Sequence, residues 1–130
     1  MTYLVLAGLT FLVHVAFVGF VIGGGLLARG RPKLAIAHLL AVAWGVYISL
    51  ANEVCPLTPL ENWFLQRAGD AGYEGGFLEH YVVPVLYPGA LTPRIQRLLG
   101  GGVVLVNMIV YAWVLSGRGK RSQSRSMEAK

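Results

Sequence analysis

Three stretches of the chain, Met1 to Ala28, Leu34 to Asn52 and Leu98 to Gly117, contain no acidic or basic side chain other than histidine. A helix rises about 1.5 Å per residue, so roughly 20 mainly apolar residues cross the ~30 Å hydrocarbon core of a bilayer, and each stretch meets that length. The expected fold is an all-α integral membrane bundle of three transmembrane helices.

The 130 residues, 55% of them hydrophobic, supply one such bundle and no second domain. The net charge of +5 does not point to nucleic acid, because its placement follows the membrane edges. Arg29, Arg31 and Lys33 fill the first connection, and Arg118, Lys120, Arg121, Arg125 and Lys130 fill the tail, a net +7 once Glu128 is counted. The long connection from Glu53 to Arg97 sets Arg67, Arg94 and Arg97 against Glu53, Glu61, Asp70, Glu74 and Glu79, a net −2. Lys and Arg collect on the cytoplasmic side, so the N-terminus and the long connection are expected outside and the tail inside, in a bacterial inner membrane. Met1-Thr2-Tyr3 carries no basic residue ahead of the apolar run, which reads as a retained, N-out first helix rather than a signal peptide. Residues 1–117 are read as one multi-pass domain and 118–130 as a basic, disordered cytoplasmic tail. The single Cys55 gives no disulfide framework.

Gly30 can end the first helix and Pro32 begin the second, forming an antiparallel hairpin. Thr58-Pro59-Leu60-Glu61 reads as a capping box that starts an interfacial amphipathic helix from Pro59 to about Ala68, with Trp63 at headgroup depth. Tyr81 to Pro93 is uncharged but too short to span, and its three prolines suggest a short interrupted helical or re-entrant segment. Thr92-Pro93 reads as the N-cap and first residue of the last helix.

At ~100° per residue the polar residues of each span fall on one face. Tyr3, Ala7, Thr10 and His14 line one side of the first helix; Gly8, Gly19 and Gly23 line the other, with Gly19 and Gly23 forming a G-x-x-x-G packing motif. The second helix aligns His38, Gly45, Ser49 and Asn52, and the third Gly100, Asn107 and Tyr111. Depth counted along the helices sets His14 level with Asn107 near mid-membrane, and His38 level with Tyr111. His14, His38, Ser49, Asn107 and Tyr111 are thus a polar seam, read either as interhelical hydrogen bonds or as a proton or ligand path. A depth mismatch of ~12 Å between His14 and His38 argues against haem held by both.

Outside the spans the densest chemistry is Glu53, Cys55, Glu61, Glu79, His80 and Tyr81. No catalytic motif joins them, and no metal or cofactor is expected. The segments Cys55-Pro-Leu-Thr-Pro-Leu-Glu-Asn62, Gly72-Tyr-Glu-Gly-Gly-Phe-Leu-Glu-His-Tyr81 and Tyr87-Pro88, with His14-Val-Ala-Phe, His38-Leu and Trp44, resemble DUF 2784, an uncharacterised family of small bacterial membrane proteins. The resemblance, over Met1 to about Ser116, implies a bacterial multi-pass protein and lends no reaction to these positions.

Three functions follow as expectations. The first is a non-enzymatic subunit or scaffold that lies in the lipid bilayer and binds a larger membrane protein or copies of itself. The second is a proton-linked carrier using the His14, His38 and Asn107 seam. The third is a surface enzyme or metal site on Glu53, Cys55, Glu79 and His80.

Overall fold

The computed structural model describes residues 1–86 and 92–128, with side chains other than those of residues 78, 79, 83, 86 and 118–128. The described residues are helical without strands. Helix α1 runs Thr2–Leu27, α2 Pro32–Ala51, α3 Leu57–Arg67, α4 Val83–Leu86 and α5 Pro93–Glu128; a π-helical turn, Leu78–Val82, leads into α4. Helices α1, α2 and the Pro93–Gly117 part of α5 are each long and apolar enough to cross a membrane.

The hairpin between α1 and α2 forms as the residue types dictate. Gly30 takes φ +78°, a left-handed conformation open to glycine, and Pro32 stands in the first turn of α2. Asn52 ends α2 at φ 55°, and the Glu53 amide donates to the Ile48 carbonyl at 3.1 Å. Thr92 caps α5, its hydroxyl accepting the Ile95 amide at 3.3 Å.

Two local expectations fail. Helix α3 begins at Leu57 with Pro56 before it, and neither Thr58 nor Glu61 caps the helix. Both are turned inward, 1% and 2% exposed, because Glu61 meets two tyrosine hydroxyls there that compete successfully for its carboxylate. Helix α5 does not stop at Gly117 but continues through the basic segment to Glu128. That segment contains no proline, and its Lys, Arg, Gln, Met and Glu residues are compatible with helix already nucleated by the span. Tyr87-Pro88 and the centre of the proline-rich run lie outside the described residues.

Helix α1 is the hub, packing on α2, α3 and α5, while α2 also packs on α5. Close approach uses glycines other than the expected pair. A Cβ on Gly24 would stand 2.5 Å from a His38 ring carbon, one on Gly25 2.9 Å from Val110, and one on Gly100 2.8 Å from Ser49. The corresponding positions on Gly19 and Gly23, as on Gly8, meet nothing within 4 Å. Among the described residues, the G-x-x-x-G motif therefore faces away from the other helices.

Candidate functional site

The first half of α1 carries the capping segment rather than another span. Helix α3 lies against it, with Tyr3 edge-on to Trp63 at 6.2 Å and Phe11 packed on both Phe77 (5.6 Å) and Tyr81 (4.9 Å). Of the expected stripe on α1, Ala7, Thr10 and His14 are buried, while Tyr3 at its outer end is exposed. The Thr10 hydroxyl donates within the helix to the Leu6 carbonyl, and the His14 ring stacks on Phe77 with centroids 4.0 Å apart.

Glu61 is the centre of the cap. Its two oxygens accept hydrogen bonds from the hydroxyls of Tyr73 (2.9 Å) and Tyr81 (3.1 Å), which satisfies a carboxylate that burial would otherwise penalise. Burial and the neighbouring Glu61 hold the phenol of Tyr73 well above the usual tyrosine range; the same causes raise Tyr81. Both tyrosines are therefore neutral donors at ordinary pH. His80 stacks on Tyr73 at 4.1 Å and meets Tyr81 edge-on at 4.6 Å.

The loop that delivers Tyr73 is held by Asn62, whose amide donates to the Tyr73 carbonyl (2.8 Å) and accepts from the Tyr73 amide (2.9 Å). Asp70 accepts the Gly72 amide at 2.9 Å, and Gly72 sits at φ +70°. A Cβ on Gly72 would reach within 2.7 Å of the Asn62 amide oxygen, so this turn requires glycine for both conformation and space.

Beside the cap is a cavity of about 370 Å³ between α1, α2 and α5. Its walls include Val18, Val21, Trp44, Ile48, Phe77 and Val103; His14, Ser49, Asn52, Glu53, Cys55 and Gln96 supply the polar or titratable side chains. The outer-segment candidates thus separate. Glu61, His80 and Tyr81 meet in the cap, Glu53 and Cys55 line the cavity, and the Glu79 side chain lies outside the described residues. Among the described residues no three His, Cys, Asp or Glu side chains are grouped to hold one metal ion.

The intramembrane seam also divides. His38 and Tyr111 meet as expected, Nδ1 to hydroxyl, at 2.9 Å. Asn107 does not face His14. Its amide nitrogen donates to the carbonyls of Val21 (3.0 Å) and Val103 (2.9 Å), and Val21 lies seven residues, about 10 Å, along α1 from His14. The depth count fails because it treats the whole of α1 as facing the other spans, whereas its first half extends along α3. Ser49 donates within its own helix to the Gly45 carbonyl and packs against Gly100.

The Val21 carbonyl also receives the His38 Nε2 hydrogen at 3.4 Å, which leaves Nδ1 to accept from Tyr111. One backbone oxygen of α1 is therefore reached from α2 and from α5. Tyr73, Asn62, Phe77 and Val21 complete these arrangements and were not singled out from the residue pattern. An asparagine after the buried Glu61 and a glycine before Tyr73 were the available signals; a main-chain carbonyl leaves none.

The model for "Protein of Unknown function (DUF2784)" matches residues 4–112. The chain belongs to that family. The matched span of DUF2784 begins within α1, contains α2 to α4, Glu61 with its two tyrosines, the cavity and the His38–Tyr111 pair, and ends within α5. No curated protein and no solved structure matches the chain.

Proposed function

We propose that this DUF2784 protein is a non-enzymatic helical subunit of a membrane assembly, in which the open small-residue face of α1 docks on a transmembrane helix of a larger partner. The observation that carries the reading is that Gly19 and Gly23, spaced for close helix contact, have nothing within 4 Å of their Cβ positions, while the next two residues, Gly24 and Gly25, are closely approached by His38 and Val110. Helix–helix association in lipid depends on such close backbone approach, because the tails are as apolar as the side chains. The carrier reading has less support, since His14 rests on Phe77 and Asn107 on Val21, breaking the seam into separate pairs.

The proposal places the protein in a bacterial inner membrane with the cap outside and the basic end of the hairpin in the cytoplasm, as the Lys and Arg distribution favours. Arg67 over Trp63 (4.8 Å) and Arg29 over Trp113 (5.4 Å) are suited to anchoring the two ends at headgroup depth.

Affinity purification from native membranes in mild detergent, with cysteines placed at Gly19 and Gly23 for crosslinking, tests the reading. A stoichiometric partner crosslinked at both positions, and released by Gly19→Leu with Gly23→Leu while the chain keeps its stability, is expected. A second copy at the same positions would make the assembly a homo-oligomer. Recovery of an uncrosslinked monomer from intact membranes overturns docking at this face.

A further inference from the structure

The cavity beside the cap combines apolar walls with a polar rim that holds a carboxylate. Trp44, Phe77, Ile48 and Val103 form an apolar, partly aromatic lining of the sort that holds small molecules, and about 370 Å³ lies within the range of such sites. The polar lining offers several hydrogen-bond acceptors, beside the amide N–H groups of Asn52 and Gln96 and the thiol of Cys55. Glu53 brings a carboxylate and is exposed at the end of α2; Asn52 and Gln96 bring amide oxygens. The Ser49 hydroxyl has its hydrogen committed to Gly45, leaving its oxygen as an acceptor. His14, 3% exposed, also lines the cavity, and its Nδ1 has no hydrogen-bond partner. No described lining residue is a lysine or arginine.

We propose that this cavity binds a lipophilic amine, with its hydrocarbon body between α1, α2 and α5 and its ammonium group among Glu53, Asn52 and Gln96. A protonated amine can donate to the Glu53 carboxylate and to the Asn52 and Gln96 amide oxygens, and its charge is opposite to that of Glu53. Trp44 and Phe77 belong to the apolar wall that takes the hydrocarbon body. A fatty carboxylate of the same length would fill the same walls but set its charge against Glu53. The overall charge of +5 would by itself favour the carboxylate, so a preference for the amine reports the local site. The inference is independent of partner docking, since the cavity lies between the spans rather than on the Gly19–Gly23 face.

Trp44 is a built-in reporter. In Trp63→Phe/Trp113→Phe protein in phosphatidylcholine nanodiscs, quenching of Trp44 by a dibrominated long-chain primary amine is compared with quenching by the carboxylate and alcohol of equal chain length. Saturable quenching is expected, with the amine binding tightest and the carboxylate weakest. Glu53→Gln, at an exposed position, should weaken the amine by about fivefold and leave the alcohol unchanged. Val18→Trp in a Trp44→Phe background should lower binding of a radiolabelled amine by occupying the cavity, and Val18→Leu, which keeps the wall apolar with little added volume, should retain it. Equal quenching by carboxylate and amine, an amine affinity unmoved by Glu53→Gln, or no saturable quenching overturns the proposal.

Discussion

Tyr73 and Glu61 meet through a 2.9 Å hydrogen bond from phenol to carboxylate across twelve positions of sequence, and this contact fixes the long connection onto α3. With Tyr81 on the other oxygen, the buried carboxylate is met, among the described residues, by two neutral phenol donors. Replacing one donor should therefore cost more than a surface hydrogen bond. Tyr73→Phe is expected to destabilise the fold by roughly 1 to 3 kcal/mol, because a buried charged acceptor loses a partner. Glu61→Gln should be milder than Glu61→Leu, since the amide oxygen still accepts one phenol. Thermal unfolding of the three variants in one detergent checks the order, and an unchanged Tyr73→Phe melting temperature would remove the structural role given to the pair.

The raised Tyr73 and Tyr81 set the sign of an alkaline dependence. The folded protein holds these phenolic protons more tightly than the unfolded chain does, so their contribution to stability is complete below the ordinary tyrosine value of about 10 and is lost as pH climbs from there toward the folded-state values. Ultraviolet titration of the six tyrosines should show a late-ionising group that Tyr73→Phe removes, with stability in wild type falling more steeply above about pH 10 than in the variant. Titration of all tyrosines in a single ordinary step would contradict the burial of this pair.

Gly72 offers a separate test of the cap. Its φ of +70° and the 2.7 Å approach to the Asn62 oxygen predict that Gly72→Ala costs roughly 1 to 3 kcal/mol and loosens residues 70–76. Gly69→Ala is the control, at φ +89° but with nothing within 4 Å, so it carries backbone strain without the clash. Hydrogen exchange of the Tyr73 amide should accelerate in Gly72→Ala and in Asn62→Ala. Equal protection in both Gly variants would mean that the Asn62 contact does not hold the loop.

What could be read from the residues divides along physical lines. Spans and turns were legible because each depends on local rules: uninterrupted apolar length, Gly30 in a left-handed turn, Pro32 and Thr92-Pro93 at helix starts. The burial of Ala7, Thr10 and His14 was legible from helical periodicity alone. Partner choice was not. Thr58 and Glu61 have ideal capping spacing, yet Tyr73 and Tyr81 offer the carboxylate stronger donors, and nothing local reports a contact twelve or twenty residues away. The same limit misplaced His14. Its face was right, but its neighbours depended on how far α1 runs past α2 along α3, a tertiary fact. The glycines make the point most sharply, since Gly23 and Gly24 are adjacent in sequence and only the second is in close contact within the chain.

That adjacency is itself testable. A methyl group at Gly24 would lie 2.5 Å from the His38 ring and 2.7 Å from Phe20, so Gly24→Ala should destabilise by roughly 1 to 3 kcal/mol through overpacking. Gly23→Ala, with open space around it, should leave the isolated chain within about 0.5 kcal/mol of wild type. Reversed effects in detergent-solubilised monomer would show that the α1–α2 register differs from the one described.

The final prediction concerns the point where the three spans are tied. The Val21 carbonyl accepts from Asn107 at 3.0 Å and from His38 at 3.4 Å, so α2 and α5 share one acceptor on α1. If the two donors act independently, losses from His38→Leu and Asn107→Leu add. If they act through the shared oxygen, either donor keeps that carbonyl paired when the other is removed, and only the double variant leaves it without either interhelical donor. The double variant should then lose more than the sum of the singles, by roughly 0.5 kcal/mol or more, in line with coupling between residues of one hydrogen-bond network. Tyr111→Phe separates the ring from its other partner, since it removes the 2.9 Å bond at Nδ1 while leaving Nε2 on Val21. Its cost should be near 0.6 kcal/mol, typical of a single intramembrane hydrogen bond, and additive with Asn107→Leu. Unfolding of the five proteins, wild type included with the two His38 and Asn107 singles, their double and Tyr111→Phe, together with Tyr111→Phe/Asn107→Leu, in matched micelles measures both terms. Simple additivity of His38→Leu with Asn107→Leu would reduce the Val21 carbonyl to a bystander between two unrelated contacts.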